Sequence, residues 1–498
     1  MLVNLLEFIA GNQTIACVLL IVILWFITRY ISKPLNLPPG PTGLPLLGNV
    51  FSIRKLANIH KNIRSFKSTC QTDIVHLRLF NRHLVIFYRY KLLRRAFLSG
   101  DFNSRPLTIA NELFDNHGII SSSGELWKVH RRLALKVLRD FGLGKIVIEN
   151  RIHEEFHYLE NELINAVGTG GFDICSLLET SVSNIICSVC FGNRFEYGDE
   201  TFDWLRSLIN ETMDQVSKMQ ILNFFPWLKY LPGDRFHYHR VKKSIADLKS
   251  YIQKRVDEHK EGFQVHHVND FIAAYSAACK AEDETNVLFR ERQLVQVILD
   301  LFIAGTETTT TTLRWTILAM VLKPAVQRKV QAEIDRNVPR SRSPTMADKA
   351  RLPYTSAVLN EIQRYFYIFP IGIARANPVQ VKLLDYDIPA QSIIMYSSIN
   401  IMRDPNAWPN PDEFDPEGNF LDEKGNLLQR DNFIPFSIGK RSCLGESLAK
   451  MELFIFFASL LQKFTFGVDR EKPTPNFTTE PRFITKPKPF TVSVQLRD

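Results

Sequence analysis

A mainly α-helical fold with small β-sheets, preceded by a single N-terminal transmembrane helix, is what this sequence predicts, and three observations carry the prediction. Two stretches, Leu294 to Leu322 and Glu446 to Phe466, are apolar nearly all round over helical length, as expected of helices that run through the middle of a globule. Only Asp73 to Tyr88 reads as a long β region in the first half of the chain. Phe8 to Thr28 is a run of 21 uncharged residues, which as a helix of about 31 Å is long enough to span a bilayer.

No Lys or Arg precedes that run, whereas Arg29 and Lys33 follow it, so the positive-inside rule puts the bulk of the chain on the cytosolic side. A cleaved secretory signal would carry a basic start and a small-x-small site, and neither is present. The expected organisation is a signal anchor over 1–33 with its span at about 8–28, a Pro-rich hinge over 34–49, and one globular domain over 50–498. The hinge contains Pro38-Pro39-Gly40-Pro41, which is stiff and cannot continue a helix. A net charge of +9 is mild for 498 residues, and without a basic arm or an RNA-type aromatic motif it argues against a nucleic-acid partner. It fits an anionic membrane surface or an acidic protein. Seven scattered cysteines suggest reduced thiols in a cytosolic compartment, and Cys187-x-x-Cys190, within an apolar stretch and lacking a second pair, reads as structural.

Further along, 56–71 reads as a helix, and Val75, Leu77 and Leu79 alternate with polar neighbours in the first of two strands that turn near Asn81-Arg82. Residues 102–123 form an irregular loop of the length that usually carries function. Leu126 to Arg132 then starts a basic helix on which Trp127 and Arg131, four apart, share a face and would together meet one carboxylate. Arg132, Lys136 and Arg139 would be solvated or dock a partner. Helical periodicity continues over Ile148–Val167 and Cys175–Phe191, followed by two long amphipathic segments between Thr201 and Lys280. These are interrupted by the apolar Phe224 to Gly233, which would touch a bilayer or line a substrate entrance.

Within the central helix, Ala304-Gly305-Thr306-Glu307-Thr308 and the threonines up to Thr312 are poor helix formers, so something other than helix stability accounts for them. Glu361 and Arg364, at i and i+3 on an apolar helix, would form a buried pair that needs further partners. The segment Phe433 to Gly445 is turn-rich and holds one thiol, Cys443, at the start of the last long helix. There the helix dipole and Arg441 favour a thiolate, while Gly439 permits a tight turn and Gly445 a close approach by something large and flat, such as a haem.

Phe436-x-x-Gly439-x-Arg441-x-Cys443-x-Gly445 resembles the haem-thiolate signature of the cytochrome P450 superfamily, and the likeness to animal microsomal family-2-type members extends from the anchor to the C-terminal residues. It implies the cytochrome P450 fold and a catalytic domain over 50–498 that contains haem b with Cys443 as the iron ligand. Phe436, Arg441 and Gly445 would cradle the haem, Trp127, Arg131 and Arg375 would hold its propionates, and Glu361 with Arg364 would be a structural pair. Ala304 would leave room for dioxygen, Thr308 would supply a donor, and Glu307 would feed protons inward. The chain departs from the pattern at Pro416-Glu417-Gly418-Asn419-Phe420, where the usual cation is missing, leaving the side chain or backbone of Asn419 as third partner of Glu361 and Arg364.

The resemblance further implies a monooxygenase that puts one oxygen atom of O2 into a lipophilic small molecule, with electrons from NADPH. The donor would be a separate NADPH-cytochrome reductase, with cytochrome b5 a second candidate, and Lys440, Arg139 and Lys145 would dock it. The setting is the endoplasmic reticulum membrane, single-pass, with the catalytic domain cytosolic. The pocket would be drawn from 102–123, 213–225, 297–304, 369–373 and Phe483-Ile484. Xenobiotic detoxification is the preferred role and endogenous steroid or fatty acid hydroxylation the alternative. An O2-independent haem-thiolate isomerase and a non-enzymatic haem binder are disfavoured by Glu307 and Thr308.

Overall fold

The periodicities become a definite order of elements in the computed structural model, which describes residues 17–18, 20–24, 36–44, 47–52, 59–140, 146–168, 170–261, 270–280, 291–480 and 484–497. The expected anchor over 8–28 lies, apart from 17–18 and 20–24, outside the described residues, as do Lys145 and Phe483. The longer helices and the strands begin with α1 (Ile59–Cys70), β1 (Ile74–Leu79), β2 (Arg82–Phe87) and α2 (Tyr90–Ser99). Then come α3 (Gly124–Asp140), α4 (Ile146–Asn165), α5 (Ile174–Phe191), α6 (Glu200–Lys218), α7 (Tyr238–Glu261) and α8 (Phe271–Lys280). The second half holds α9 (Glu291–Leu322), α10 (Pro324–Asn337), α11 (Pro353–Phe366), β3 (Arg375–Ala376), β4 (Val381–Leu383), β5 (Tyr386–Ile388) and β6 (Ile393–Tyr396). Last are α12 (Glu446–Lys463), β7 (Phe464–Val468), β8 (Thr479–Glu480), β9 (Lys486–Pro487) and β10 (Val492–Leu496).

Helices that are apolar on every side have to be surrounded, and α9 and α12 are: nearly all their side chains from Gln293 to Val321 and from Met451 to Gln462 are buried. Gly305 explains part of the unusual composition of α9. A Cβ there would lie 2.3 Å from Ile186 Cδ1, so α5 can cross this closely only over a glycine. Three threonines satisfy themselves along the helix: the Oγ1 of Thr308, Thr312 and Thr316 donate to the carbonyls of Ala304, Thr308 and Thr312 at 2.8, 2.9 and 2.8 Å, whereas the buried hydroxyls of Thr306 and Thr310 have no partner. Trp315 of α9 stacks on Phe366 of α11 with ring centroids 4.4 Å apart, and Phe156 of α4 meets Phe456 of α12 edge to face.

The β-like region is the expected antiparallel hairpin of β1 and β2, turned through Phe80 at φ 56, and it is extended by β6, parallel to β2, and β3, antiparallel to β6. The Pro-rich segment lies on this sheet: Pro39 O accepts from His76 N at 2.9 Å, and Asn49 Oδ1 accepts from Arg78 N at 2.8 Å. Between residues 200 and 280 the structure has three helices where the sequence suggested two. Asp270 accounts for the extra start, since it accepts from Ala273 N at 2.9 Å to cap α8 while holding His259 of α7 at 2.8 Å. Cys187 and Cys190 are buried in α5, where burial raises both thiols.

Glu361 and Arg364 form the fully buried pair foreseen. Arg364 Nε and Nη2 donate to the two carboxylate oxygens at 2.6 and 2.7 Å, and its remaining hydrogens go to the carbonyls of Met402, Asn410, Pro411 and Glu413. The third partner is the side chain of Asn419, whose Nδ2 donates to Glu361 Oε1 at 3.1 Å, with Asp415 N adding a bond of 2.8 Å. Arg364→Ala is expected to destabilise the fold by about 3–5 kcal/mol, because a buried carboxylate loses its counter-ion. Asn419→Ala is expected to cost about 1–3 kcal/mol. Chemical denaturation of the purified variants measures both.

Candidate haem site

The loop that feeds α12 is shaped before any cofactor is considered. Ser437 and Gly439 adopt φ 61 and 76, and a Cβ on Gly439 would come within 2.3 Å of Phe97 O, so this turn needs glycine. Cys443 N donates to Phe436 O at 2.9 Å and Ser442 N to Gly439 O at 3.0 Å, closing the loop around the sulfur. Cys443 has accessible surface, yet burial pushes its thiol above the ordinary value; both hold because the sulfur opens onto interior space and not onto bulk water. The expectation that the helix start alone would favour a thiolate is therefore corrected. α12 begins at Glu446 with Gly445 as its cap, and the Gly445 amide and Arg131 pull the thiol down less than burial raises it.

Above this loop four guanidiniums face one another. Arg441 donates to the carbonyls of Asn103, Ile119 and Ser122 at 2.8, 3.0 and 2.5 Å, and Arg131 Nη2 to Ser442 O at 2.7 Å. Arg375 Nη2 donates to Ile438 O at 2.6 Å, and Arg105 to the carbonyls of Ile120 and Ala374, both at 2.7 Å. Burial, followed by mutual repulsion, pushes Arg441 down to about 7 and Arg375 to about 9; burial foremost, then Arg131, takes Arg105 to about 10, against the pull of Asp300. Arg131 is lowered by burial as well. Asp300 is already engaged, its Oδ2 accepting from Ile119 N and Ile120 N at 2.6 and 2.8 Å.

Two donors in this ring are buried with no partner, Trp127 Nε1 and Arg375 Nη1. The Trp127 ring itself lies 3.9 Å under the Arg441 guanidinium, and an added Cβ on Gly445 would meet nothing within 4 Å. Unspent donors, an excess of buried cations, an open face at Gly445 and an accessible sulfur describe a seat for a flat, dianionic group with a metal at its centre. A haem fits that description in charge, shape and donor set.

On α9, Ala304 has accessible surface and Thr308 is half-buried, while Ile303, Thr306, Glu307 and Thr309 around them are buried. The two share a face that borders open space, as their spacing predicts. Ile373 is 41% exposed beside the buried Gly372. Glu307, 3% exposed, is paired with Lys486 Nζ at 2.5 Å and accepts from Thr311 Oγ1 at 3.2 Å.

The structure thus brings Trp127, Arg131, Arg375, Phe436, Arg441, Cys443 and Gly445 to one region, sets Ala304, Glu307 and Thr308 on the central helix, and keeps Glu361 and Arg364 in the core. Sequence reasoning missed Arg105, Asp300 and Lys486. Asp300 had a signal, a lone acid in an apolar helix one turn before Ala304. Arg105 sits in an irregular segment and Lys486 in a two-residue strand too short to show a period, and neither had one.

The cytochrome P450 family profile matches residues 38–494. Cytochrome P450 2J3 of Rattus norvegicus is 42% identical over 441 residues, 87% of this chain and 86% of the relative. Cytochrome P450 2J2 of Homo sapiens is 41% identical over the same shares, and cytochrome P450 2C28 of Mesocricetus auratus 39% identical over 91% of each chain. With the cation ring, the accessible sulfur and the opened face of α9 already in place, these likenesses make the chain a member of the cytochrome P450 family, a haem-containing monooxygenase similar to the family-2 enzymes.

Proposed function

We propose that this monooxygenase oxidises lipophilic small molecules in xenobiotic clearance, and that it works from the endoplasmic reticulum membrane with its catalytic domain in the cytosol. The observation that carries the substrate class is the nature of the accessible side chains we assign to the pocket, a methyl at Ala304 and a sec-butyl group at Ile373, which would favour apolar surface over charge. A membrane setting is supported by exposed apolar residues around the hairpin turn. Phe224 and Phe225 pack on Phe80, Ile109 N donates to Asn223 Oδ1 at 2.9 Å, and Leu107, Trp227 and Tyr230 beside them are 66, 60 and 77% exposed.

Bound haem supplies the activation of O2, with electrons delivered one at a time from a separate reductase. Cys443 would hold the iron through its sulfur, where the metal's charge would offset the burial that raises the thiol. Arg105, Arg131, Arg375, Arg441 and the Trp127 indole would hold the propionates. Thr308 borders the oxygen side; its hydroxyl gives its hydrogen to Ala304 O at 2.8 Å at rest, leaving its lone pairs to order a water and its proton to be turned inward on demand. Glu307, one residue earlier and buried, is the carboxylate we assign to relaying protons toward it. Exposed Lys440 and Arg139 offer the charges on which an acidic reductase or cytochrome b5 would dock.

Cys443→Ser is expected to keep the fold while abolishing the thiolate-type Soret shift of the reduced carbon monoxide complex; survival of that shift would move the ligand elsewhere. Haem-free protein is expected to take up haem far more tightly than haem dimethyl ester, whose capped carboxylates cannot answer the four guanidiniums, and titration by absorbance measures the difference. The function itself is tested by offering the reductase-reconstituted enzyme a panel of lipophilic xenobiotics, steroids and fatty acids and counting product per NADPH. Turnover confined to the xenobiotics is the expected result. Turnover confined to a steroid or fatty acid would overturn the clearance role. In the same assay Thr308→Ala should consume NADPH while losing most of the product.

A further inference from the structure

Lys486 has no part in the machinery derived so far, yet it occupies the most constrained position open to a cation near the oxygen side. Its strand, β9, is tied from both directions: Thr485 N donates to Ile368 O at 2.8 Å, and Trp315 Nε1 of α9 donates to Thr485 O at 3.0 Å. β9 also pairs with β8, Glu480 opposite Lys486. The backbone of Lys486 is thus fixed relative to α9, and its side chain, 11% exposed, reaches Glu307 Oε1 at 2.5 Å while the Glu307 side chain is 4% exposed.

That contact decides what Glu307 can do. Oε1 takes bonds from both the Lys486 ammonium and the Thr311 hydroxyl, which lies one turn on, away from Thr308. Without the ammonium this buried carboxylate would lose its counter-ion and be free to rotate toward other donors. With it, Oε1 is held in one place relative to β9.

We propose that Lys486 is a positioning residue for proton delivery: it holds Glu307 oriented from a site outside the central helix, so that each proton reaching Thr308 passes through a carboxylate whose place is set by β9. The balance is simple. Glu307 takes a proton that arrives from bulk solvent as hydronium, which is left as water, and the Lys486 pair loosens as the carboxylate charge is lost. The Thr308 hydroxyl gives its own proton to the oxygen side, takes the one on Glu307 in its place, and the returning carboxylate closes the pair again. No electron moves in these steps.

This proposal rests on the reading of Glu307 and Thr308 as the proton path, and the test separates the two. Holoenzymes carrying Lys486→Met, Lys486→Arg, Glu307→Gln and the Lys486→Met/Glu307→Gln pair are compared by melting temperature and by product formed per NADPH. Lys486→Met is expected to melt lower than wild type and to lose coupling severalfold, toward the level of Glu307→Gln. The double variant should regain melting temperature, because no unpaired charge remains, and should be no less coupled than Glu307→Gln alone. Lys486→Arg, which keeps the charge, should keep both properties. If Lys486→Met melts lower but stays as coupled as wild type while Glu307→Gln is uncoupled, Lys486 is a structural counter-ion only and the proposal fails with the proton path intact. A fully coupled Glu307→Gln would instead remove Glu307 from the path, and the role of Lys486 with it.

Discussion

Four like charges buried together set the terms for the rest of this molecule. Arg105, Arg131, Arg375 and Arg441 come from the loop over 102–123, from α3 directly after it, from β3 and from the loop before α12, so assembling them means bringing together three regions far apart in the chain. Carbonyl oxygens accept from all four, which holds the guanidiniums in place but does not balance them. The one acid that reaches into the ring, Asp300, is occupied by the amides of Ile119 and Ile120. A dianion of the right span would therefore do what no side chain present does, and its binding free energy would be folding free energy for the loops it joins.

The remainder of the fold can be read as support for that ring. The meander after α11 meets the pair with an amide and not a cation. Asn419 Nδ2 donates to Glu361 and to Asn410 O, and Arg430, eleven residues on, donates through Nε to the backbone Asn419 O at 2.9 Å with its guanidinium carbon 6.0 Å from the Trp408 ring centroid. Arg430 thus fixes the backbone from which the Asn419 side chain reaches the pair. A weaker direct attraction is offset by a hydrogen-bond network in which the charged pair and the amide all find partners.

The legible parts were those set by periodicity and by chemically expensive residues. The long helices, the hairpin of β1 and β2 and the burial of Glu361 with Arg364 followed from apolar spacing and from charges placed where charges are costly. The clustering of Trp127, Arg131, Arg375 and Arg441 was legible only through the resemblance, since nothing local brings them together. Arg105 and Lys486 were illegible because an irregular loop and a two-residue strand have no readable period, and a basic residue there reads as solvated until its tertiary neighbours are known. The third helix between 200 and 280 was hidden for a related reason: its start depends on Asp270, whose cap and His259 contact are invisible in composition.

Cys443 shows most clearly why local rules were insufficient. A cysteine near a helix start, with an arginine two residues before it, suggests a depressed thiol by proximity alone. In the fold Arg441 spends its hydrogens on the carbonyls of Asn103, Ile119 and Ser122, and the helix opens only at Glu446. Burial then dominates and the thiol is raised. The same burial that disfavours a bare thiolate strengthens its bond to a metal cation, because both charges leave water together. The site is accordingly poor as a free nucleophile and well suited as a ligand, and the positive ring above it ensures that the metal arrives within a group carrying its own negative charges.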